Sequence, residues 1–338
     1  MAPRYIIQGL PEIQAITGVA GAVKILVTGS SGQIGTNLVL ALLARGDAPV
    51  GVDVRANPWT DAFETIRADL TAPPPGLSVS LASARFDCIV HLAAHAKVYE
   101  LVENPAKALQ NVEMVFNVLE IARRARVPFI FGSSREVYGD IMRHMTEETH
   151  ADFVIAESPY SASKIAGEAF VYSYSRCYGL PHLVFRFSNV YGRYDNDLER
   201  LERVVPLFIR KISAGEPATI FGPEKVLDFT YVDDCISGVL AGIDRIVSGT
   251  VVNETVNLAY GKGYTLKQLV DVIAAALRVT PDVKFLPTRP GEVTRYVANV
   301  SKAARLLGYS PKTPLEEGVP REIEWAADER RRTSRKEP

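Results

Sequence analysis

A tyrosine and a lysine stand four residues apart in the segment YSASK, at Tyr160 and Lys164. On a helix this spacing places both side chains on one face. The positive charge of the lysine favours a phenolate beside it, so we expect it to lower the pKa of the tyrosine hydroxyl. A tyrosine tuned in this way can exchange a proton with a substrate hydroxyl during hydride transfer. Because the same spacing is common on solvated helix faces, the pair indicates this chemistry only in a suitable context.

A glycine-rich segment, GSSGQIG, supplies that context between a predicted strand and a predicted helix. Gly29, Gly32 and Gly35 permit a tight turn and bring backbone N–H groups close to a pyrophosphate at the helix N-terminus. Asp53 ends the next strand, where a carboxylate accepts hydrogen bonds from a ribose 2′-hydroxyl and repels a 2′-phosphate. We therefore expect NAD rather than NADP. Arg55 is the counter-indication, because an arginine there could accommodate the phosphate.

A third polar group follows the apolar run PFIF, where Ser133, Ser134, Arg135 and Glu136 stand in a row. Ligands of open parallel sheets bind at the carboxyl ends of the strands. We therefore predict that this segment, GSSREVYG, lines a site and does more than connect two elements.

Short apolar runs alternate with amphipathic segments along most of the chain, which requires a sheet that is covered on both faces. The predicted strands are 23–29, 49–54, 87–94, 128–134, 182–190 and 255–260, and the predicted helices are 33–45, 105–126, 201–215, 232–247 and 265–279. The pattern indicates an α/β protein with a Rossmann-type doubly wound parallel sheet and a smaller C-terminal substrate-binding lobe.

The alternation also suggests how the chain is divided. It becomes irregular after residue 190, and a run of charges without apolar partners ends the chain. We predict an N-terminal extension at 1–22, a NAD-binding Rossmann domain at 23–190 to which 226–260 returns, a substrate-binding lobe at 191–225 and 261–325, and a disordered tail at 326–338.

Composition bounds the class of protein. The 338 residues are 47% hydrophobic and 23% charged with a formal net charge of −1, so we expect no nucleic-acid partner and no membrane association. Cys88, Cys177 and Cys235 are odd in number and lack metal-ligand spacing. We interpret them as thiols in a reducing cytoplasm and predict no metal site.

Together these segments resemble the extended short-chain dehydrogenase/reductase superfamily, in its NAD-dependent nucleotide-sugar epimerase/dehydratase branch. The resemblance covers about 23–320 and is carried by GSSGQIG, HLAA, GSSREVYG, YSASK, FRFSNVYG, DFTYVDD and RPGEV, in the family's order. It implies bound NAD, a UDP-sugar substrate and a homodimer formed through a four-helix bundle from 105–126 and 160–178.

The resemblance implies that Ser134 hydrogen-bonds the reacting hydroxyl, that Tyr160 is the catalytic base and that Lys164 tunes it while holding the nicotinamide ribose. Together with the arguments from the residues, it yields two sets of candidate contacts. Those to the cofactor are Gly29, Gly32, Gln33, Ile34, Gly35, Asp53, Asp69, Leu70, Leu92, Ala93, Ala94, Asn111, Tyr160 and Lys164. Those to the substrate are Ser133, Ser134, Arg135, Glu136, Asn189, Arg193, Lys225, Arg289 and Glu292.

Departures from the family's pattern bear on the reaction. The 4,6-dehydratases of this branch have Asp then Glu after the Ser/Thr, whereas Arg135 takes the place of the Asp and cannot give up a proton. UDP-glucuronate decarboxylases have an arginine where Leu227 stands in LDFTYV. Both hypotheses are therefore weakened. Leu227 also replaces an arginine that often holds the diphosphate in epimerases, and Lys225 is the candidate substitute.

A UDP-sugar 4-epimerase remains, and the sugar is the open question. Arg135 lies beside Ser134, and Arg193 replaces a frequent proline, so a uronate carboxylate would meet cationic surroundings. This favours UDP-glucuronate/UDP-galacturonate over UDP-glucose/UDP-galactose interconversion. The competing interpretation of Arg135 is a structural salt bridge with Glu136 or Glu147.

Two further alternatives differ in kind. A 4-ketoreductase would consume NADPH, which Asp53 disfavours. A dinucleotide-sensing scaffold would usually have lost the tyrosine or the lysine, and both are present. Of the remaining candidates, we interpret His91 as buried structure, and Lys97 could approach a phosphate or remain solvated.

Overall fold

The structure is a computed structural model that describes residues 21–139, 156–195 and 203–334, so residues 1–20 of the predicted extension lie outside it. The elements follow in chain order, with a single 3-10 turn at Arg135–Tyr138 after β5. They are β1 (Lys24–Thr28), α1 (Gln33–Arg45), β2 (Ala48–Asp53), β3 (Thr65–Arg67), α2 (Pro75–Ser83), β4 (Cys88–His91), α3 (Val98–Glu103), α4 (Ala106–Ala125), β5 (Phe129–Ser134), α5 (Pro159–Tyr178), β6 (His182–Phe187), β7 (Asn189–Tyr191), α6 (Val204–Ser213), β8 (Ala218–Phe221), β9 (Val226–Tyr231), α7 (Val232–Val247), β10 (Glu254–Leu258), β11 (Gly263–Thr265), α8 (Leu266–Leu277), β12 (Val283–Leu286), α9 (Ser301–Leu307) and α10 (Leu315–Ser334).

The large sheet has seven strands in the order β10-β6-β5-β4-β1-β2-β3. Every neighbouring pair in it is parallel, and Val27 of β1 lies between Gly51 of β2 and Val90 of β4. The strand order reverses between β1 and β4, which is the switch point where doubly wound sheets bind ligands. The predicted fold class is confirmed.

Helices cover both faces of this sheet. Ile25 and Val27 of β1 pack in one apolar cluster with α1 and α7, whereas Leu26 packs on the opposite face with α2, α4 and α5. A strand that is buried on both faces has apolar residues pointing to both sides, so its sequence does not alternate between apolar and polar residues. This explains why β1, β4 and β5 appear in the sequence as continuous apolar runs.

The smaller lobe contains a three-stranded sheet in the order β11-β9-β7 and a two-stranded sheet of β12 and β8, packed with α6, α8 and α10. The predicted strand 182–190 is divided at Ser188, because β6 ends in the large sheet and β7 begins in the small one. For the same reason the return of 226–260 to the large sheet starts only at Val232, since β9 belongs to the lobe.

The C-terminal prediction needs a correction. Residues 326–334 were expected to be disordered, but α10 continues without a break to Ser334. Its first turns are anchored in the core through Leu315 and Val319. Extending an anchored helix adds one hydrogen bond for each residue fixed, and Ala, Glu and Arg are strong helix formers. In the part of the chain that is described, no helix is both long and apolar enough to cross a membrane.

Candidate active site

One cavity of about 1250 Å³ opens at the carboxyl ends of β1, β4 and β5 and extends under the smaller lobe. Two of the predicted site residues, Asn111 and Arg193, lie outside its lining. Among the described residues, no group of three or more His, Cys, Asp or Glu side chains could hold a metal ion. The predicted residues that line the cavity are Gly29, Gly32, Gln33, Ile34, Gly35, Asp53, Asp69, Leu70, Leu92, Ala93, Ala94, Ser133, Ser134, Arg135, Glu136, Tyr160, Lys164, Asn189, Lys225, Arg289 and Glu292.

The glycine loop between β1 and α1 forms a cradle that side chains would fill. Gly29 has a φ of 74°, and a Cβ on it would lie 2.7 Å from the backbone nitrogen of Ala93. A Cβ on Gly35 would overlap the carbonyl oxygen of Gly29. Gly32 is the N-cap residue of α1, and no side chain caps that helix N-terminus. The first amides of α1 therefore face the cavity as pyrophosphate donors would have to.

Asp53 at the end of β2 is held by the same loop. Its carboxylate accepts hydrogen bonds from the backbone nitrogens of Ser31, at 3.0 Å, and Arg55, at 3.2 Å. The Arg55 guanidinium in turn donates to the carbonyl oxygen of Ser31 at 3.3 Å. A fixed carboxylate with an arginine folded onto the loop backbone fits a ribose diol better than a 2′-phosphate.

The turn after β3 places two of the predicted cofactor contacts, Asp69 and Leu70, in the cavity lining. Leu70 is buried, and Asp69 is exposed and accepts hydrogen bonds from Thr71, which lower the pKa of the Asp69 carboxyl. Asn117 of α4 donates to the carbonyl oxygens of Leu70, at 2.9 Å, and Thr71, at 3.0 Å. Asn117 thereby fixes this turn, and it was missed because the helical pattern of α4 gives no sign of what its polar positions contact.

Tyr160, Lys164 and Ser134 converge, as predicted. The Lys164 ammonium donates to the carbonyl oxygen of Gly132 at 2.7 Å and lies 5.9 Å from the centre of the Tyr160 ring. The Tyr160 hydroxyl hydrogen-bonds the Ser134 side chain. Tyr160 and Lys164 are both buried, at 7% and 5% exposed. A phenol, a hydroxyl and an ammonium thus share one water-poor wall of the cavity.

The predicted lowering of the Tyr160 pKa is not observed. Burial raises the pKa of Tyr160 to about 12, against the opposing effects of the Ser134 hydrogen bond and of Arg203 and Arg135. Burial also lowers the pKa of Lys164 to about 8, partly offset by Glu168. Desolvation therefore shifts the pKa values of both groups more than the interaction between the two groups does, because the Lys164 ammonium is directed at a backbone carbonyl.

Arg135 and Glu136, which are expected at the sugar, form an ion pair in the cavity wall after β5, with Nη2 and Oε1 2.9 Å apart. The Arg135 guanidinium also lies 5.7 Å from the centre of the Tyr296 ring. Burial raises the pKa of Glu136. Arg135 Nη1 and Glu136 Oε2 are buried without a hydrogen-bond partner in the described ranges. The alternative partner, Glu147, lies outside the described residues.

Two further cations among the predicted substrate contacts, Lys225 and Arg289, lie where the smaller lobe lines the cavity. Lys225 is buried and ion-paired with Glu292, and the Arg289 guanidinium lies 3.7 Å from the centre of the Phe221 ring. Leu227, where the family often has an arginine, is buried in the cavity wall. Lys225 and Arg289 therefore supply the positive charge of this part of the cavity wall.

Two predicted contacts are corrected by the structure. Asn111 donates to the carbonyl oxygen of His95 and to Ser163 Oγ, and accepts from the His95 backbone nitrogen at 2.7 Å. It therefore supports the loop after β4 from behind and does not face the cofactor site. Arg193 is paired with Asp233, and both side chains are more than one-third exposed. A surface carboxylate thus engages the arginine that was expected at the sugar.

Arg203 and Asp195 are cavity residues that the sequence did not indicate. Arg203 donates to the Gln33 side chain at 2.7 Å and pairs with Asp195 at 3.4 Å, thereby joining the glycine loop to the lobe. Burial raises the pKa of Asp195 to about 7. No motif surrounds either residue. Phe221 was also missed, although it ends β8 and lines the cavity from that strand end.

The strand order, the glycine cradle and the convergence of Tyr160 with Lys164 define a NAD-dependent enzyme of the extended short-chain dehydrogenase/reductase superfamily. Residues 25–259 match the model of the NAD dependent epimerase/dehydratase family. UDP-glucuronate 4-epimerase 1 of Arabidopsis thaliana is 31% identical over 336 residues, which cover 90% of this chain and 77% of that protein.

Two solved structures are similar along almost their whole length. UDP-glucose 4-epimerase of Thermotoga maritima with UDP-glucose has a TM-score of 0.82 and 29% identity, and covers 91% of this chain and 99% of its own. UDP-glucuronic acid 4-epimerase of Bacillus cereus with UDP-glucuronic acid and NAD has a TM-score of 0.80 and 27% identity, and covers 90% and 99%.

The chain belongs to the NAD-dependent epimerase/dehydratase family. It is a NAD-dependent nucleotide-sugar epimerase, and NAD is its cofactor. The cradle of Gly29, Gly32 and Gly35 and the carboxylate of Asp53 fit that cofactor, because they offer free helix amides and a fixed acceptor.

Replacing Asp53 tests the assignment of this carboxylate to the ribose. We expect Asp53→Asn to weaken NAD binding about 10-fold and to narrow the preference for NAD over NADP, since a charged acceptor is lost. Fluorescence titration of both dinucleotides measures this. Asp87→Asn is the matched control, because Asp87 also accepts a backbone hydrogen bond, from Lys24 at 2.7 Å, but at the other end of the sheet. Equal losses in both variants would contradict the assignment.

Proposed function

We propose that this chain is a UDP-sugar 4-epimerase that interconverts UDP-glucuronate and UDP-galacturonate. The observation that carries the proposal is the convergence of Tyr160, Ser134 and Lys164 in the same cavity as the glycine cradle. That arrangement supports reversible oxidation of a secondary hydroxyl. The similarity to 4-epimerases adds support for C4 as the reacting carbon.

The proposed reaction requires few groups of the chain. Bound NAD supplies a hydride acceptor that returns the hydride, so no net oxidation occurs. Tyr160 takes the proton of the C4 hydroxyl in the forward step and gives it back in the return step. Ser134 orients the reacting oxygen through its hydroxyl, and Lys164 stabilises negative charge on the phenol. The large cavity leaves room for the 4-keto sugar to turn over between the two steps.

Arg135 is the argument for a uronate. Arg135 lines the cavity next to Ser134, and its buried Nη1 has no hydrogen-bond partner among the described residues. A guanidinium group in a cavity wall binds a carboxylate strongly through charge-assisted hydrogen bonds. Burial raises the pKa of Glu136, which favours its neutral carboxylic acid form. The neutral acid does not repel a substrate carboxylate, and its O–H can donate a hydrogen bond to that carboxylate.

The same ion pair is the argument for a second candidate, UDP-glucose/UDP-galactose interconversion. When Glu136 is ionised it neutralises Arg135, and the pair then combines donor and acceptor groups without a net charge. A hydroxyl group both donates and accepts, so this pair also suits the neutral hydroxymethyl group of a hexose.

Kinetics with both substrates distinguish the two candidates. We expect a higher kcat/KM for UDP-glucuronate than for UDP-glucose, and we expect Arg135→Gln to lower the UDP-glucuronate value about 10- to 100-fold, because a charge-assisted hydrogen bond is lost. Arg193→Gln is the control, since Arg193 is held by Asp233 at the surface. Turnover of UDP-glucose alone, or an Arg135→Gln variant that handles UDP-glucuronate normally, would refute the uronate assignment.

We also propose that the enzyme is a homodimer through a four-helix bundle of α4 and α5 from each copy. These two helices pack side by side. Leu109 and Phe116, two turns apart on α4, are 63% and 44% exposed, and the Phe116 ring lies 6.2 Å from that of Phe170 on α5. An apolar face of this kind supports pairing with a second copy.

The dimer proposal is tested by solution mass. We expect the wild-type protein to be a dimer by light scattering and Phe116→Asp to be a monomer, because the charge would be buried at the interface. Val279→Asp, at a side chain that is 45% exposed outside these helices, should remain dimeric. A monomeric wild type, or a dimeric Phe116→Asp protein, contradicts the proposal.

Finally, we propose that the enzyme works in the cytoplasm. The support is chemical, since Cys88, Cys177 and Cys235 are all free thiols. Fractionation of the source cells tests this directly, and recovery of the protein outside the cytoplasmic fraction would contradict it.

A further inference from the structure

Glu168 of α5 is the acceptor at the centre of a buried hydrogen-bond network behind the cavity wall. Its Oε1 accepts from Ser133 Oγ at 2.6 Å and from Arg186 Nε at 2.9 Å. Its Oε2 accepts from Arg186 Nη2 at 2.7 Å and from the Tyr172 hydroxyl at 3.0 Å. Glu168 is 4% exposed, so four donors hold one carboxylate in a fixed position.

This network joins four elements near the catalytic wall. Ser133 lies in β5, Arg186 in β6 and Glu168 in α5, while the Tyr172 hydroxyl continues to Thr255 of β10 at 2.9 Å. Ser133 donates its hydroxyl proton in the hydrogen bond to Glu168. The Ser133 side chain can therefore only accept a hydrogen bond from a ligand in the cavity.

Glu168 also affects the protonation of Lys164. Tyr160, Lys164 and Glu168 follow one another at intervals of four along α5 and so occupy one face of it. The negative charge of Glu168 favours the ammonium of Lys164, which burial disfavours. Arg186, paired to Glu168, opposes this effect in part.

The other groups around Lys164 carry no counter-charge. His91 of β4 is held neutral, because burial and the Lys164 charge lower its pKa to about 3. The Phe131 ring lies 5.0 Å from the ammonium, and Tyr160 is a neutral phenol at pH 7. Within the described part of the chain, Glu168 is thus the negative charge that compensates this buried ammonium.

We propose that Glu168 is a positioning residue for the reaction, which keeps Lys164 in its ammonium form and fixes the carboxyl end of β5 through Ser133. The proposal rests on the proposed roles of Tyr160 and Lys164. It explains why an ion pair is buried here, although buried ion pairs are often no better for stability than apolar side chains. Glu168 touches neither the cavity nor, on this proposal, the substrate.

The direct test measures the protonation of Lys164 without any substrate. The ¹³Cε chemical shift of Lys164 is followed by NMR against pH in the protein with its NAD, with Lys164→Met used for the assignment. We expect Glu168→Gln to lower the midpoint by about one pH unit, because a neighbouring opposite charge is removed. The alkaline limb of the pH profile of kcat/KM should move to lower pH by the same amount.

Glu120→Gln is the matched control. Glu120 of α4 also accepts two hydrogen bonds from one arginine, Arg123, at 2.8 and 2.7 Å, and one from a tyrosine hydroxyl, Tyr174, at 2.8 Å. Among the charged groups, Glu168 and not Glu120 acts on Lys164, so the loss of Glu120 should leave the Lys164 midpoint and the pH profile unchanged. A folded Glu168→Gln protein with the wild-type midpoint would overturn the proposal.

Glu168→Asp covers the case in which Glu168→Gln does not fold, since an unpaired buried Arg186 is costly. The aspartate retains the charge but withdraws the carboxylate from Ser133 by one methylene. We expect the Lys164 midpoint to stay within about half a pH unit and kcat to fall about 10-fold, with KM changed less than about 3-fold, because positioning is lost while binding remains. A wild-type kcat in Glu168→Asp would also overturn the proposal. If neither UDP-sugar were turned over, the proposed function would fail, while the NMR midpoint would still decide the role of Glu168.

Discussion

The hydrogen bond from the Lys164 ammonium to the carbonyl oxygen of Gly132 is the contact on which the site depends. It fastens α5 to the end of β5, so that Tyr160 and Ser134 meet although they are remote in sequence. In a parallel sheet the last carbonyl groups of all the strands lie at the same end of the sheet, and they need hydrogen-bond donors when they are buried. A lysine satisfies one of them and at the same time brings a positive charge to the cavity wall.

Burial of so many polar groups has a cost that the site offsets by pairing. Glu168 and Arg186 are joined by two hydrogen bonds, Arg135 is paired with Glu136, and Lys225 with Glu292. The buried Asp228 carboxylate accepts hydrogen bonds from three backbone nitrogens, which take the place of a paired cation. The same desolvation keeps Tyr160 protonated in the structure as described, since it raises the pKa of the hydroxyl to about 12. A protonated phenol can return a proton to the substrate. To act as the base, Tyr160 must be ionised, and positive charge brought close to it when the ligands bind would favour the phenolate.

Local signals in the sequence were sufficient for the framework. The bounds predicted for α1 and α7 agree with the structure, and the glycine loop lies between β1 and α1 as predicted, because period and turn chemistry are encoded over a few residues. Tertiary effects were not encoded in this way. The division of 182–190 at Ser188 depends on which sheet each half joins, and the helical course of 326–334 depends on the anchoring of α10 elsewhere.

The site divides along the same line. Residues placed by a motif, such as Ser134 and Asp53, line the cavity, whereas Arg193 and Asn111 found partners that adjacent sequence does not reveal. Arg203, Asp195 and Glu168 were missed for the same reason, since each owes its place to residues far along the chain. The pKa of Tyr160 was misjudged because a pair of residues was considered without the burial of both.

In the proposed reaction, a hydride leaves C4 of a bound sugar and returns to the same carbon, while Tyr160 exchanges the hydroxyl proton. A UDP-sugar carrying deuterium at C4, whether UDP-glucuronate or UDP-glucose, tests this most directly when the product is examined by NMR and mass spectrometry in ordinary water. We expect an epimerised product that keeps its deuterium at C4, with no net reduction of NAD. Loss of the deuterium to water during epimerisation would contradict it.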